Sequence, residues 1–278
     1  MLKYTAASLW ECSTTRRYAP EYRPPLHLKT LAVMRSESRR IGRLDCQIVD
    51  YLPAGQAPQL IVVLCHGFGA PADDLVPLGS EILQAAPHLA DKVQFVFPAA
   101  PLSLDSQGIY GGRAWWPLDV ARLAEAIERG ELRDQRRHLP PELPEARDRL
   151  LEVLQQLQQE TGLPLSKFVL GGFSQGSMVA TEVALRLPQS PAALIIWSGA
   201  LMCEDTWREL AQKHRGLTVL QSHGTADPIL PFEGALWLRD MLQEAGANVE
   251  FVQFPGAHTI PLEALRRTVA LLERLTQQ

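Results

Sequence analysis

The sequence predicts an α/β protein built on a mostly parallel central sheet with helices on both faces. Three observations carry that expectation. From about residue 44 onward, short β-rich runs alternate with longer stretches of helical periodicity. The later strand candidates are nearly continuous apolar runs, as expected of strands covered on both faces. Turn chemistry separates each strand from the helix after it, and β then α, repeated, is the pattern of a doubly wound sheet.

The strand candidates in order are "LDCQIVDYL", "LIVVLC", "VQFVF", "KFVLG", "AALIIWS", "LTVLQSH" and "VEFVQF". Between them the 3.6-residue period predicts helices at about 74–87, 142–161, 176–187, 232–246 and 261–276. No internal repeat is present. The chain of 278 residues, 46% hydrophobic and 21% charged, suits one large domain, expected to span 44–278.

Residues 1–43 read as an amino-terminal extension. In its first thirty-odd residues Lys3, Arg16, Arg17, Arg23 and Lys29 outnumber Glu11 and Glu21, and Pro20, Pro24 and Pro25 break any period. Such a segment is expected to be poorly ordered, and Met34 is a candidate for the true start. One long interruption, at about 103–141, holds "GIYGGRAWWPLD", the amphipathic "DVARLAEAIERGEL" and "RRHLPPELPE". Its length reads as a lid or substrate loop.

A formal net charge of -4 argues against nucleic acid or an anionic membrane surface as the main partner, and favours a small-molecule substrate. Cys12, Cys46, Cys65 and Cys203 are scattered, without CxxC or Cys/His ligand spacing, and read as reduced thiols in a cytoplasmic protein. No apolar run approaches the roughly 18 residues of a membrane-spanning helix.

The chemistry centres on "VLGGFSQGSM", residues 169–178. Gly172-Phe173-Ser174-Gln175-Gly176 is G-x-S-x-G, set directly after a strand and directly before a helix, which is the context a nucleophile elbow requires. A serine hydroxyl needs a histidine to take its proton and a carboxylate to hold that histidine. Later loops supply both: Asp227 follows "LTVLQSHG" and His258 follows "VEFVQF", each at the carboxyl end of a strand, where binding crevices form. Ser174, Asp227 and His258 are therefore the expected catalytic residues.

Acyl transfer also needs donors for the developing oxyanion. Gln175, at the start of the helix after the nucleophile, is one candidate, and Phe68, between the glycines of "LCHGFGA", is the other. His66 is expected to brace that loop by a hydrogen bond, and His223 reads as a structural turn residue. His27, His88, His138 and His214 default to solvated surface positions. No histidine spacing points to a metal, and the mechanism needs no cofactor. Trp115, Trp116, Ile229 and Ile260 flank the catalytic loops and are expected, with Phe68, to line an apolar substrate site.

In order, "LCHGFGA", "GGFSQGSM", "SHGTADPILP" and "GAHTIP" resemble the HG-x-G, G-F-S-Q-G, HG-x-x-D-x-x-x-P and G-H-x-I/P segments of the phospholipase/carboxylesterase family of α/β-hydrolases, which includes the acyl-protein thioesterases. The resemblance runs from about residue 44 to the end. It implies an α/β-hydrolase fold and a serine hydrolase cleaving carboxylic esters, thioesters or lysophospholipids, with an acylated protein or lysolipid among its partners. "RAWWPLD" looks like the family's tryptophan-containing loop near the acyl site. The pattern departs in three places: "HGFGA" lacks an acidic residue after its second glycine, Ala257 separates Gly256 from His258, and the segment from Trp116 to Glu142 is long. The alternatives are a peptidase or lactone hydrolase on the same scaffold, the latter usually with a cysteine nucleophile, and a non-catalytic hydrolase-like binding protein.

Overall fold

The computed structural model describes residues 34–119, 125, 129, 136, 137 and 139–277. The chain divides after Leu31, and everything described belongs to the second unit, Ala32–Gln278. The amino-terminal extension as far as residue 33, Cys12, His27, His138 and most of "DVARLAEAIERGEL" lie outside the described residues.

Ten strands and six α-helices alternate among the described residues. The order is β1 (Arg35–Ile41), β2 (Leu44–Asp50), β3 (Leu60–Cys65), α1 (Val76–Ala85), β4 (Val93–Pro98), β5 (Leu102–Ser103) and β6 (Arg113–Ala114). Then come α2 (Leu143–Thr161), β7 (Phe168–Phe173), α3 (Gln175–Arg186), β8 (Ala193–Trp197), α4 (Glu204–Ala211), β9 (Thr218–Gly224), α5 (Phe232–Glu244), β10 (Asn248–Phe254) and α6 (Leu262–Thr276). Eight strands form one sheet in the order β1-β2-β4-β3-β7-β8-β9-β10. β4, β3, β7, β8, β9 and β10 run parallel, while β1 pairs antiparallel with β2, and β2 with β4. β5 and β6 form a separate antiparallel pair.

The apolar runs are continuous because successive side chains enter two different cores. In β3, Ile61, Val63 and Cys65 pack with α2, α3 and α5, while Leu60, Val62 and Leu64 pack with α1 and α6. Leu143, Ala146, Leu150, Val153, Leu154 and Leu157 form the buried stripe of α2 at the spacing of a helix face. Each large apolar side chain so buried stabilises the fold by about 1.5–3 kcal/mol.

The folded unit begins earlier than residue 44. β1, "RSESRRI", pairs with β2 over its whole length, yet carries an almost wholly exposed, charged pattern suited to a sheet edge and without apolar alternation. The eight-residue helix α4 is also unforeseen from sequence. It starts from Cys203 in the left-handed region and buries Trp207.

From β3 the chain moves to β4 on one side through α1, then crosses back to β7 on the other side of β3 through α2. The carboxyl ends of β3 and β7 therefore flank the point where the winding reverses, the place where open α/β sheets form their crevice.

Candidate active site

Ser174 is the single residue between β7 and α3, with φ 54° and ψ -125°. A non-glycine residue there stores strain on the order of 1–3 kcal/mol, and its surroundings hold it. Its N–H donates to Trp197 O at 2.9 Å, and its carbonyl accepts from the Ser177 hydroxyl at 2.7 Å and the Ser177 N–H at 3.0 Å.

The flanking glycines are where the strand and helix backbones crowd. A Cβ at Gly172 or Gly176 would overlap Cys65 O at the end of β3, and one at Gly176 would also overlap His66 O. Backbone atoms in a sheet cannot withdraw as a flexible side chain can. Gly176→Ala is therefore expected to cost about 3 kcal/mol or more and to lower Tm by roughly 10 °C. Gly216→Ala has a left-handed φ of 82° but open space around it, and is expected to cost only about 1–2 kcal/mol. Thermal melts of the two variants check this, and equal losses would contradict it.

On the far side of the sheet two loops are laced together. Thr225 N–H donates to Phe254 O at 2.9 Å and Ala226 N–H to Gly256 O at 3.0 Å. Gly224 is needed at that crossing, since a Cβ there would overlap the carbonyls of Gly256 and Ala257. The lacing brings Asp227 to His258: His258 Nδ1 lies 2.6 Å from Asp227 Oδ2. Asp227 Oδ1 accepts the N–H groups of Ile229 and Leu230, both at 2.9 Å. Burial pushes the Asp227 carboxyl upward. The His258 bond, the two N–H donors and the nearby His258 charge outweigh that and hold it below the usual carboxylate range. Asp227 is thus ionised near neutral pH.

The histidine ring lies against the residue before the serine, with Phe173 and His258 centroids 4.7 Å apart. Ser174 Oγ makes no hydrogen bond among the described residues, and the serine–histidine contact is the one link left open. Such bonds are often loose in a substrate-free site.

The "HGFG" loop is tied to β6: Gly69 N–H donates to Arg113 O at 2.9 Å, and Arg113 N–H to Ala70 O at 3.0 Å. Among the described residues Phe68 N–H has no backbone acceptor, nor has Gln175 N–H at the first turn of α3, where donors are unsatisfied and the helix dipole favours negative charge. His66 accepts the Ala100 N–H on Nε2 at 3.0 Å and bonds Gly67 O through Nδ1 at 2.9 Å, which fixes the Nδ1–H tautomer. Burial pushes its imidazole down to about 4, so it stays neutral.

Sequence reasoning missed the side chain of Gln175. Its Oε1 accepts Trp115 N–H and its Nε2 donates to Trp116 O, both at 2.9 Å, while the Trp115 indole N–H donates to His66 O at 2.9 Å. One amide clasps the tryptophan segment to the helix start. This corrects the expectation that the tryptophans line the substrate site. Trp115 is 1% and Trp116 4% exposed, and both belong to the core as support for His66 and Gln175. Ile260, at 7% exposed, packs with the α6 core, whereas Ile229 is open at 46%. His214 is also corrected: it is buried and bonded to Leu185 O and Ser190 Oγ.

Burial pushes the Cys46 and Cys203 thiols up to about 12 and Cys65 well above its usual range, so none offers a thiolate near neutral pH. Among the described residues no group of three or more His, Cys, Asp or Glu side chains could hold a metal ion. No helix among them is long and apolar enough to cross a membrane.

Comparison with known proteins gives the same direction. A family model described as phospholipase/carboxylesterase matches residues 51–275. The chain is 30% identical over 182 residues to an acyl-protein thioesterase 1 of Neurospora crassa, covering 63% of this chain and 71% of the relative. It is 32% identical over 187 residues to a probable carboxylesterase of Oryza sativa subsp. japonica, covering 66% of this chain and 74% of the relative. The crystal structure of esterase PE8 superposes with a TM-score of 0.66 at 28% identity, over 84% of this chain and 99% of that one. A carboxylesterase from Mesorhizobium loti shares the fold, with a TM-score of 0.63 at 17% identity over 86% and 98% of the two chains.

Proposed function

The chain belongs to the phospholipase/carboxylesterase family and is a hydrolase of the α/β-hydrolase fold, and from that premise we propose that it cleaves carboxylic esters and thioesters through an acyl-Ser174 intermediate. The observation that carries this reading is Ser174 held at positive φ between a strand and a helix, with Asp227 and His258 already bonded on the neighbouring loops.

His258, oriented by Asp227, takes the Ser174 proton as Oγ attacks the acyl carbon. The N–H groups of Phe68 and Gln175 receive the charge that develops on the carbonyl oxygen. His258 returns the proton to the departing alcohol or thiol. Water, activated by the same ring, then attacks the acyl-serine, and the acid leaves.

The half-buried Phe68 and the exposed Ile229 give the site an apolar rim, which supports an acyl group of some length over a charged one. Small-molecule esters, with acylated protein or lysolipid as larger versions, fit that rim. The free thiols of Cys46, Cys65 and Cys203 support a cytoplasmic setting.

Hydrolysis of p-nitrophenyl esters from acetate to palmitate, beside an acyl thioester, tests the reading. The expected result is turnover of both leaving groups, with kcat/KM rising from acetate to medium chains. A folded protein inert toward every ester and thioester would overturn it.

A further inference from the structure

His223 lies at the end of β9, buried at 0% exposure, and was expected to be a turn residue without a part in the chemistry. Its Nε2 is 2.8 Å from Leu230 O and 3.4 Å from Asp227 Oδ2. Leu230 O is an acceptor only, so Nε2 carries the hydrogen and donates it to that carbonyl, with Asp227 Oδ2 close to the same nitrogen but outside hydrogen-bond geometry. Asp227 Oδ2 is the same atom that receives the His258 Nδ1–H. Burial holds His223 below its ordinary range, so it donates as a neutral ring.

We propose that His223 is a positioning residue for the catalytic acid: its Nε2–H closes the 224–230 loop onto itself through Leu230 O and sets an uncharged N–H dipole beside Asp227 Oδ2. The proposal rests on the reading of Asp227 as the acid of the triad. The carboxylate then has two donors on Oδ1, the Ile229 and Leu230 N–H groups, and His258 on Oδ2, with the His223 nitrogen 3.4 Å from Oδ2. Two consequences follow. The carboxylate cannot rotate away from His258 without breaking bonds at both oxygens. The N–H dipole beside it also stabilises the charge on Oδ2, which weakens its hold on a protonated His258 and keeps that ring available as a base at lower pH. Among the described residues the ionisable groups bearing on His223 are Asp227 in its own loop and His258 from the loop after β10. The Gly199 backbone and the Phe232 ring, 6.1 Å between centroids, complete the surroundings.

The test is the pH profile of kcat/KM for p-nitrophenyl butyrate in His223→Asn, His223→Leu and His223→Gln. Gln can place an N–H where Nε2 stood, whereas Asn can place one only near Nδ1, and Leu has none. In the Asn and Leu proteins the acid limb is expected to move up by about half a pH unit and kcat to fall about tenfold with KM unchanged. In the Gln protein both are expected to return to within about threefold of wild type. Two residue types at the non-donating position keep the test open if one fails to fold. An acid limb in Asn or Leu that coincides with wild type, or a Gln protein as impaired as the others, would overturn the proposal. Asp227→Asn, assayed in parallel, separates the two readings: full activity there removes the triad assignment itself, while loss there with an unshifted His223→Leu profile removes only the role of His223.

Discussion

Ser174→Ala is expected to lower kcat/KM for every ester by about four orders of magnitude or more while leaving the fold intact. The chemical loss is large because no other nucleophile is on hand among the described residues: the buried cysteines Cys46, Cys65 and Cys203 are held protonated, and Ser177 has its hydroxyl committed to Ser174 O. The structural cost is small because Ser174 Oγ makes no hydrogen bond among the described residues and alanine tolerates φ 54° no worse than serine does. Rates beside a thermal melt check both halves. A variant that stays within tenfold of wild type would remove Ser174 from the chemistry.

Asp227→Asn is expected to cost nearly as much, about four orders of magnitude in kcat with little change in KM, through a wrong tautomer instead of a missing group. The Ile229 and Leu230 N–H groups both point at Oδ1, so an asparagine is compelled to place its oxygen there and its NH2 toward His258. His258 Nδ1 then has to accept, the ring proton moves to Nε2, and the base can no longer take a proton from serine. The measurement is kcat and KM for the variant across pH. Because the two donors fix the amide, raising pH is not expected to restore the rate above a few per cent of wild type.

The sheet was legible where strands are buried on both faces. "LIVVLC" and "AALIIWS" become β3 and β8 within a residue at each end, since each side chain enters one of two cores and the run stays apolar. β1 was illegible for the opposite reason: "RSESRRI" forms a strand through backbone pairing with β2 at a sheet edge, with no buried face to mark it. The short helix α4 offered only Trp207 and Ala211 as buried apolar positions beyond its first residue, too few to set a period.

In the proposed site, the strand-to-helix turn at Ser174 and the loops that carry Asp227 and His258 could be read because each is tied to a local pattern, a strand end followed by glycine and turn chemistry. The supporting contacts could not. The Gln175 clasp reaches residues 60 and 59 positions away, and its partners are backbone groups that no side-chain pattern records. Trp115 and Trp116 beside a catalytic loop read as substrate walls for the same reason. Their bonds to the amide of Gln175 and the carbonyl of His66 join residues far apart in sequence. His223 reads as a turn residue because Asp227, four residues on, already has a role, and sequence alone does not show that its ring nitrogen lies 3.4 Å from Oδ2.

The most direct test of the account is covalent capture of the nucleophile with a fluorophosphonate, followed by intact mass and fragmentation of the tryptic peptide Phe168–Arg186. That peptide holds both Ser174 and Ser177, so fragmentation is needed to tell them apart. One adduct per chain is expected, on Ser174, formed in step with loss of ester hydrolysis and absent in Ser174→Ala. An adduct on another residue, or full inactivation with Ser174 unmodified, would contradict it.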